Sequence, residues 1–281
     1  MTPIYRLQAI ASQVRRDIIR MVTAAGSGHP GGSLSSADFL TALFFEVLNH
    51  DPQKWTQEGS GADMFFLSIG HISPAYYSVL ARSGYFDPAE LATFRCLGSR
   101  LQGHPSIENG LPGVHVATGS LGQGLSAAIG AALAKRLNGD PHYVYALIGD
   151  GESEEGQIWE AALFAAHHKV DNLIAITDWN GQQIDGTVND VAGLGDLEQR
   201  WRGFGWESLL VDGHDMEAIV AGFAAAKKLN KKGKPVMILM KTEMGHGVDF
   251  MAGTHQWHGK APNAELATRA LAQIPETLGD F

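Results

Sequence analysis

The chain has 281 residues, is 44% hydrophobic and carries a formal net charge of −9. That is enough apolar material for one large core. It also argues against a nucleic-acid partner, because phosphate binding needs a concentrated basic face and the densest basic run is KKGK at 231–234. The single cysteine, Cys96, excludes an internal disulfide and any multi-cysteine metal site.

Residues Ile4, Leu7, Ala11, Val14, Ile18 and Val22 recur at helical spacing and predict an amphipathic first helix. It is expected to stop before a turn, GSGHPGG, at 26–32, with a second helix from Ser35 to Leu48. MFFLSIGH (64–71) reads as a short buried strand ending in a glycine loop. SPAYYSVLARSG then opens a helix with proline in its first turn. Residues 117–139 read as a glycine loop leading into an alanine-rich helix, whose Ala127, Ala128, Gly130 and Ala131 are expected against a sheet. HYVYALIGDG, EGQIWEAALFAAHHK and NLIAITDWN follow as strand, helix and strand. This is a βαβ unit with parallel strands and a right-handed crossover. Two further strands, WESLLVDG and PVMILMKTEMG, flank the helix DMEAIVAGFAAAKKLN. The alternation predicts an α/β fold, a mostly parallel sheet with helices on both faces. One domain over 1–281 is the simplest division, with a loop-rich stretch at 245–263 and a short terminal helix. Cys96 is expected as a packed core thiol. No run approaches the length of a membrane span and the N-terminal stretch has no signal-peptide core, so the expected location is cytoplasmic.

Residues 149–156 read GDGESEEG. In open parallel sheets ligands sit beyond the carboxyl ends of the strands. Asp150 ends one predicted strand and Asn180 ends the next, thirty residues on, so both side chains can face one crevice. A carboxylate and an amide oxygen are hard ligands suited to Mg²⁺ or Ca²⁺, and Mg²⁺ commonly completes its shell with phosphate oxygens. Two unit charges 4 Å apart interact by about 4 kcal/mol at an effective dielectric near 20. A diphosphate against bare Asp150 would meet repulsion on that scale, which an intervening dication reverses. Glu152 and Glu154 have a plainer reading, as acids favoured in the first turn of a helix by its dipole. A dinucleotide-binding loop would want a third glycine where Glu154 stands, which disfavours a nicotinamide oxidoreductase.

SGHPGGSLS, GHPS, TGSLGQGLS, GDGESEEGQIWEA, DWNGQQIDG and WHGKAP resemble, in this order and over nearly the whole chain, the N-terminal half of the transketolase family. GDG, with DWN and IDG after it, resembles that family's thiamine diphosphate motif. The resemblance implies a thiamine diphosphate-binding fold and a metal site of Asp150, Asn180 and the backbone carbonyl of Gln182. It implies that Gly151 meets the diphosphate through its backbone, that Gly119 and Leu121 line the cofactor site with His71, and that Ile184 and Met244 pack near the cofactor rings. His29, His71, His104 and His258 would surround the reacting carbon and the substrate hydroxyls, where imidazole suits proton transfer near neutral pH. His167 and His168 read as helix C-terminal residues, while His246 and His255 lie near the mouth without a motif role. Ser120 stands where many members have proline, and Trp179 where a small polar residue is common; neither change removes a ligand.

The resemblance also implies a reaction, transfer of a two-carbon ketol unit from a ketose, sugar or sugar phosphate, to an aldose. A glutamate that activates the cofactor belongs to a second domain in this family. A separate C-terminal subunit, with pyrimidine-binding and C-terminal domains, is therefore the expected partner, in a heterotetramer with self-association of this chain. Glu155 matches the family glutamate that reaches towards the partner's catalytic glutamate. A half enzyme like 1-deoxyxylulose-phosphate synthase or a 2-oxoacid dehydrogenase would share GDG and Asn180 but predicts no SGHPG followed by TGSLGQG. A non-catalytic regulatory chain of the same fold would have no use for Asp150, Asn180 and four histidines together.

Overall fold

The structure is a computed structural model that describes residues 2–281. Its centre is a five-stranded parallel sheet of order β1-β2-β3-β7-β6, made of β1 (Met64–Leu67), β2 (Val144–Gly149), β3 (Leu173–Trp179), β6 (Glu207–Asp212) and β7 (Val236–Lys241). A small antiparallel pair, β4 (Gln182–Gln183) with β5 (Gly186–Thr187), follows β3. β1, β2, β3 and β7 are buried almost throughout, which is why they read as continuous apolar runs rather than as alternating ones.

Alternation still decides which layer each side chain joins. Phe65, Leu67, Tyr145, Leu147, Ile174, Ile176, Val236 and Ile238 face one core, with α1 (Ile4–Ala25), α2 (Pro30–Ala42), α3 (Ser73–Arg82), α8 (Met216–Leu229) and α9 (Ala264–Gln273). Met64, Phe66, Val144, Ala146, Leu173, Ala175, Met237 and Leu239 face the other, under α4 (Gln123–Leu137), α5 (Gly156–His167) and α7 (Leu197–Gly203). A short α6 (Val188–Ala192) caps the small hairpin. Between β7 and α9, residues 245–263 hold one 3-10 turn, His255–Trp257.

Three expectations are corrected. The second helix begins at Pro30, not Ser35, and widens into a π turn over Leu43–Val47. Gly31 and Gly32 are therefore helical, and Gly31 is there for close approach: a Cβ on it would lie 2.8 Å from Met244 Cγ and 2.9 Å from the Trp257 carbonyl oxygen. In α4, Ala128 is buried in the second core with Ala127 and Ala131 packed against it, but Gly130 is exposed with no neighbour within 4 Å, and the close approach is made instead by Gly124 at Ser68. Cys96 is an exposed thiol in the loop after Phe94, not a core residue.

The two glycines predict opposite signs. Gly130→Ala should raise stability by roughly 0.5–1 kcal/mol, because alanine restricts the unfolded chain and meets nothing. Gly31→Ala should lower it by about 1–3 kcal/mol through overpacking. Thermal unfolding of both variants checks this, and equal shifts would contradict the packing account.

Candidate active site

The carboxyl ends of β1, β2, β3 and β7 open into a cleft of about 340 Å³ lined by His29, His71, Gly119, Leu121, Asp150, Gly151, Asn180, Gln182, Ile184, Met244 and His258. Another cleft, of about 470 Å³, lies at the amino ends of β1 and β2. Its one buried cation, Lys135, is already consumed by Asp140 and by the carbonyls of Gly59 and Ala62. The chemistry gathers at the carboxyl edge.

Asp150 follows β2 and is 2% exposed. Its Oδ1 accepts the Gly151 N–H at 2.8 Å and its Oδ2 the Gly181 N–H at 2.6 Å. Burial pushes its carboxyl up, the neighbouring Asp178 charge adds to this, and it titrates at about 7. Asn180 stands one residue past β3. Its Oδ1 accepts the Gln182 N–H at 2.9 Å and its Nδ2 donates to Asp178 Oδ2 at 2.8 Å. Two adjacent buried carboxylates, Asp150 and Asp178, are thus satisfied by neutral donors alone. That is a site short of positive charge. The Asp150 carboxylate and the Asn180 amide oxygen are hard ligands of the kind that Mg²⁺ or Ca²⁺ takes, and Gln182 lines the same cleft.

The histidines come from four separate loops and meet above this floor. His29 caps α2, His71 follows β1, and His104 and His258 lie in long loops. The His29 ring centroid is 5.1 Å from His71, 5.5 Å from His258 and 6.4 Å from His104, and His71 is 5.1 Å from His258. Burial, then the other imidazoles and Arg95, lowers His29 to about 4. Burial lowers His71 and His258 as well, and burial with Arg95 lowers His104. The cluster is therefore neutral near pH 7, and its rings can accept protons. The Nδ1 atoms of His29 and His258 are buried and have no hydrogen-bond partner among the described residues.

Met244 is 1% exposed on the cleft wall, while Ile184 is 61% exposed at its rim. Glu155 is exposed as the N-cap of α5, makes no side-chain capping bond and lines the cleft next to Gly122. Ser120 is exposed on the loop beside the cleft. Trp179 packs against the second core and under the Lys241 ammonium, 4.5 Å from the ring centroid.

Four features escaped the sequence. Glu152 is not a dipole-favoured helix residue. It lies in a 3-10 turn, Gly151–Glu154, ahead of α5, is 2% exposed, and accepts from Ser68 Oγ, from Gly122 N–H at 2.8 Å and from Gly149 N–H at 3.2 Å. It fastens the 119–122 loop to the GDG turn. Asp178 is 1% exposed and binds Ser35 and Thr242 as well as Asn180. Arg95 takes a left-handed backbone (φ 59), donates to Ser27 Oγ at 2.8 Å and forms no ion pair among the described residues. His246 stacks on His214 at 3.6 Å, and His214 donates to Asp38 at 3.0 Å. These three could gather on a metal ion, but the Arg15 guanidinium already grips Asp38 through both oxygens. Burial pushes Asp38 up, and Arg15 and His214 outweigh it to hold the carboxyl at about 2.

The protonation states are measurable. The His29 ring signal in NMR should stay flat through pH 6.5, where an unperturbed imidazole is half protonated, and move only as the pH nears 4. For Asp150 the folded value near 7 lies above the unfolded 3.8. Its contribution to stability is full below 3.8 and is lost as pH rises through 7. In metal-free buffer the Tm of the natural chain should fall relative to Asp150→Asn across that window. A pH-independent difference would contradict the assignment.

Comparison with known proteins places this architecture. The family model described as transketolase, thiamine diphosphate binding domain, matches residues 7–279. The chain is 41% identical over 270 residues to the 6-deoxy-6-sulfo-D-fructose transketolase subunit SqwG of Clostridium sp. (strain MSTE9), covering 95% of this chain and 96% of that one. It is 38% identical over 272 residues to an apulose-4-phosphate transketolase subunit of Phocaeicola vulgatus, covering 97% and 95%. Among solved structures, transketolase from Campylobacter jejuni superposes with a TM-score of 0.89 at 36% identity, over 97% of this chain and 43% of that one. The chain thus spans the length of the subunit relatives and under half of the solved chain.

Proposed function

This chain belongs to the transketolase family, and from that premise we propose that it is the N-terminal, diphosphate-binding subunit of a two-chain, thiamine diphosphate-dependent transketolase that moves a two-carbon ketol unit from a ketose to an aldose. The observation that carries the reading is the buried pair Asp150 and Asp178, short of positive charge, beneath four neutral imidazoles.

In this reading Asp150, Asn180 and the Gln182 carbonyl hold Mg²⁺ or Ca²⁺, and the Gly151 backbone meets the diphosphate. Gly119, Leu121, His71, Ile184 and Met244 flank the cofactor. Bound thiamine diphosphate supplies the carbanion chemistry that breaks and remakes the carbon–carbon bond. The chain supplies orientation and proton handling. Neutral His29, His71, His104 and His258 accept and return protons at carbinol and carbonyl oxygens.

The sugars named for the two subunit relatives carry a sulfonate or a phosphate. We extend that to this chain as a ketose with an anionic end group, and Arg95, a guanidinium without a carboxylate beside His29 and His104, supports it. The partner is a separate chain bearing the pyrimidine-binding and C-terminal domains. Exposed Glu155 and Ile184 at the rim are suited to contact across such an interface. A cytoplasmic heterotetramer serving carbohydrate metabolism completes the proposal.

The chain alone should show no ketol transfer with thiamine diphosphate and Mg²⁺, and should gain it on adding the partner chain. Full turnover by the chain alone would refute the two-chain reading. Within the assembled enzyme, Asp150→Ala should abolish cofactor binding in calorimetry. His29→Ala and His258→Ala should keep that binding but lose turnover, with His258→Ala raising KM as well.

A further inference from the structure

We propose that Asp178 is the positioning residue that aims Asn180 at the cation, by fixing which end of the Asn180 amide faces the cleft. This rests on the reading that Asp150 and Asn180 hold a divalent ion.

An asparagine side chain is nearly symmetric in shape and opposite in chemistry at its two ends. Its oxygen can ligate a cation; its NH₂ has two donors, no free lone pair, and repels one. A ligand asparagine therefore has to be held against rotation by half a turn. Asn180 is held at both ends. Its Nδ2 donates to Asp178 Oδ2 at 2.8 Å, and its Oδ1 accepts from the Gln182 N–H at 2.9 Å. The two restraints are unequal. The Gln182 contact uses a lone pair of the very oxygen that must ligate. The Asp178 contact lies at the other end of the amide and survives ligation unchanged. Both Asp178 oxygens already accept from hydroxyls, Oδ2 from Ser35 and Oδ1 from Thr242, so the flipped amide would set oxygen against oxygen.

Asp178 is equipped for this task. It sits on β3 in register with Gly149 of β2 and Met240 of β7, 1% exposed, where water cannot compete for it. Ser35 Oγ, from α2, donates to its Oδ2 at 2.7 Å, and Thr242 Oγ1, just past β7, donates to its Oδ1. These bonds satisfy lone pairs of the carboxylate that Asn180 does not use. All its partners are neutral hydrogen-bond donors. Partners of this kind behind a metal ligand are commonly worth about 10- to 100-fold in metal affinity.

The test is Mn²⁺ binding to the full chain with inorganic diphosphate present, followed by electron paramagnetic resonance, with Tm measured on the same samples. Asp178→Asn keeps the shape of the side chain but no longer forbids the flipped amide, and should weaken Mn²⁺ binding about 10- to 100-fold. Ser35→Ala and Thr242→Val each remove one bond to Asp178 and leave the bond to Asn180. They should lower Tm but keep Mn²⁺ affinity within about threefold of the natural chain, a split that a purely structural role would not give. Unchanged affinity in Asp178→Asn, with Mn²⁺ binding lost in Asp150→Ala, would overturn the proposal and leave the cation site standing. Unchanged affinity in Asp150→Ala would overturn both. Should Asp178→Asn fail to fold, a crystal structure of the natural chain with Mn²⁺ and thiamine diphosphate decides. Asn180 Nδ2 still within hydrogen-bond distance of Asp178 supports the assignment. Asp178 turned away, or itself ligating the ion, overturns it.

Discussion

A carboxylate taken out of water must be met by donors, and leaving it unmet costs several kcal/mol. Asp178 meets that demand with three groups from three parts of the chain: a hydroxyl from α2, a hydroxyl past β7 and an amide just beyond β3. Much of the site follows from it. His29 stands at the N-cap of α2, and Met244 lies two residues beyond Thr242. The same bonds that satisfy the buried charge therefore hold a histidine, a hydrophobic wall and a hard oxygen around one cleft. Glu152 repeats the arrangement on the other side of the GDG turn. Its carboxylate joins Ser68, Gly122 and Gly149, so the loop bearing Gly119 and Leu121 cannot drift from the turn bearing Asp150.

Electrostatically the site is divided into two levels. The floor is acidic and buried, and Asp150 ionises reluctantly there without a cation. Above it the four imidazoles are crowded, mutually repelling when charged and desolvated, so they stay neutral. The −9 net charge of the chain would on its own repel an anionic ligand. The local arrangement reverses this for a ligand that arrives with a divalent ion.

The architecture was largely legible because its signals are local. Continuous apolar runs ending in glycine marked the strands, and the helical spacing of Ile4 to Val22 marked α1. Asp150 and Asn180 were legible because a βαβ crossover fixes where the ends of two strands meet. What stayed hidden depends on contacts between distant segments. Gly31 and Gly32 look like a turn, yet they are small because Met244, Trp257 and Ile72 pass close by. Asp178 reads as an ordinary polar strand end until Ser35 and Thr242 are found beside it. Glu152 looked like a helix-opening acid because its burial is decided by Ser68 and the 119–122 loop, which no nearby residue announces. Cys96 misled in the other direction: small sulfur side chains are usually inside, and this one sits on a loop that the core does not cover.

The sheet shares its two faces between separate cores, and every group of the cleft hangs from its carboxyl edge. Amide hydrogens in β2, β3 and β7 are covered on both faces and bonded on both sides, so their exchange with solvent waits for the whole domain to open. The loops at 26–29, 101–122 and 243–260 lie outside the sheet's hydrogen-bond ladder, so their amides exchange through smaller openings than the strands require. Filling the cleft would tie these loops more firmly to the sheet, and its imprint on the chain would be slowed exchange at one edge with the interior unaltered.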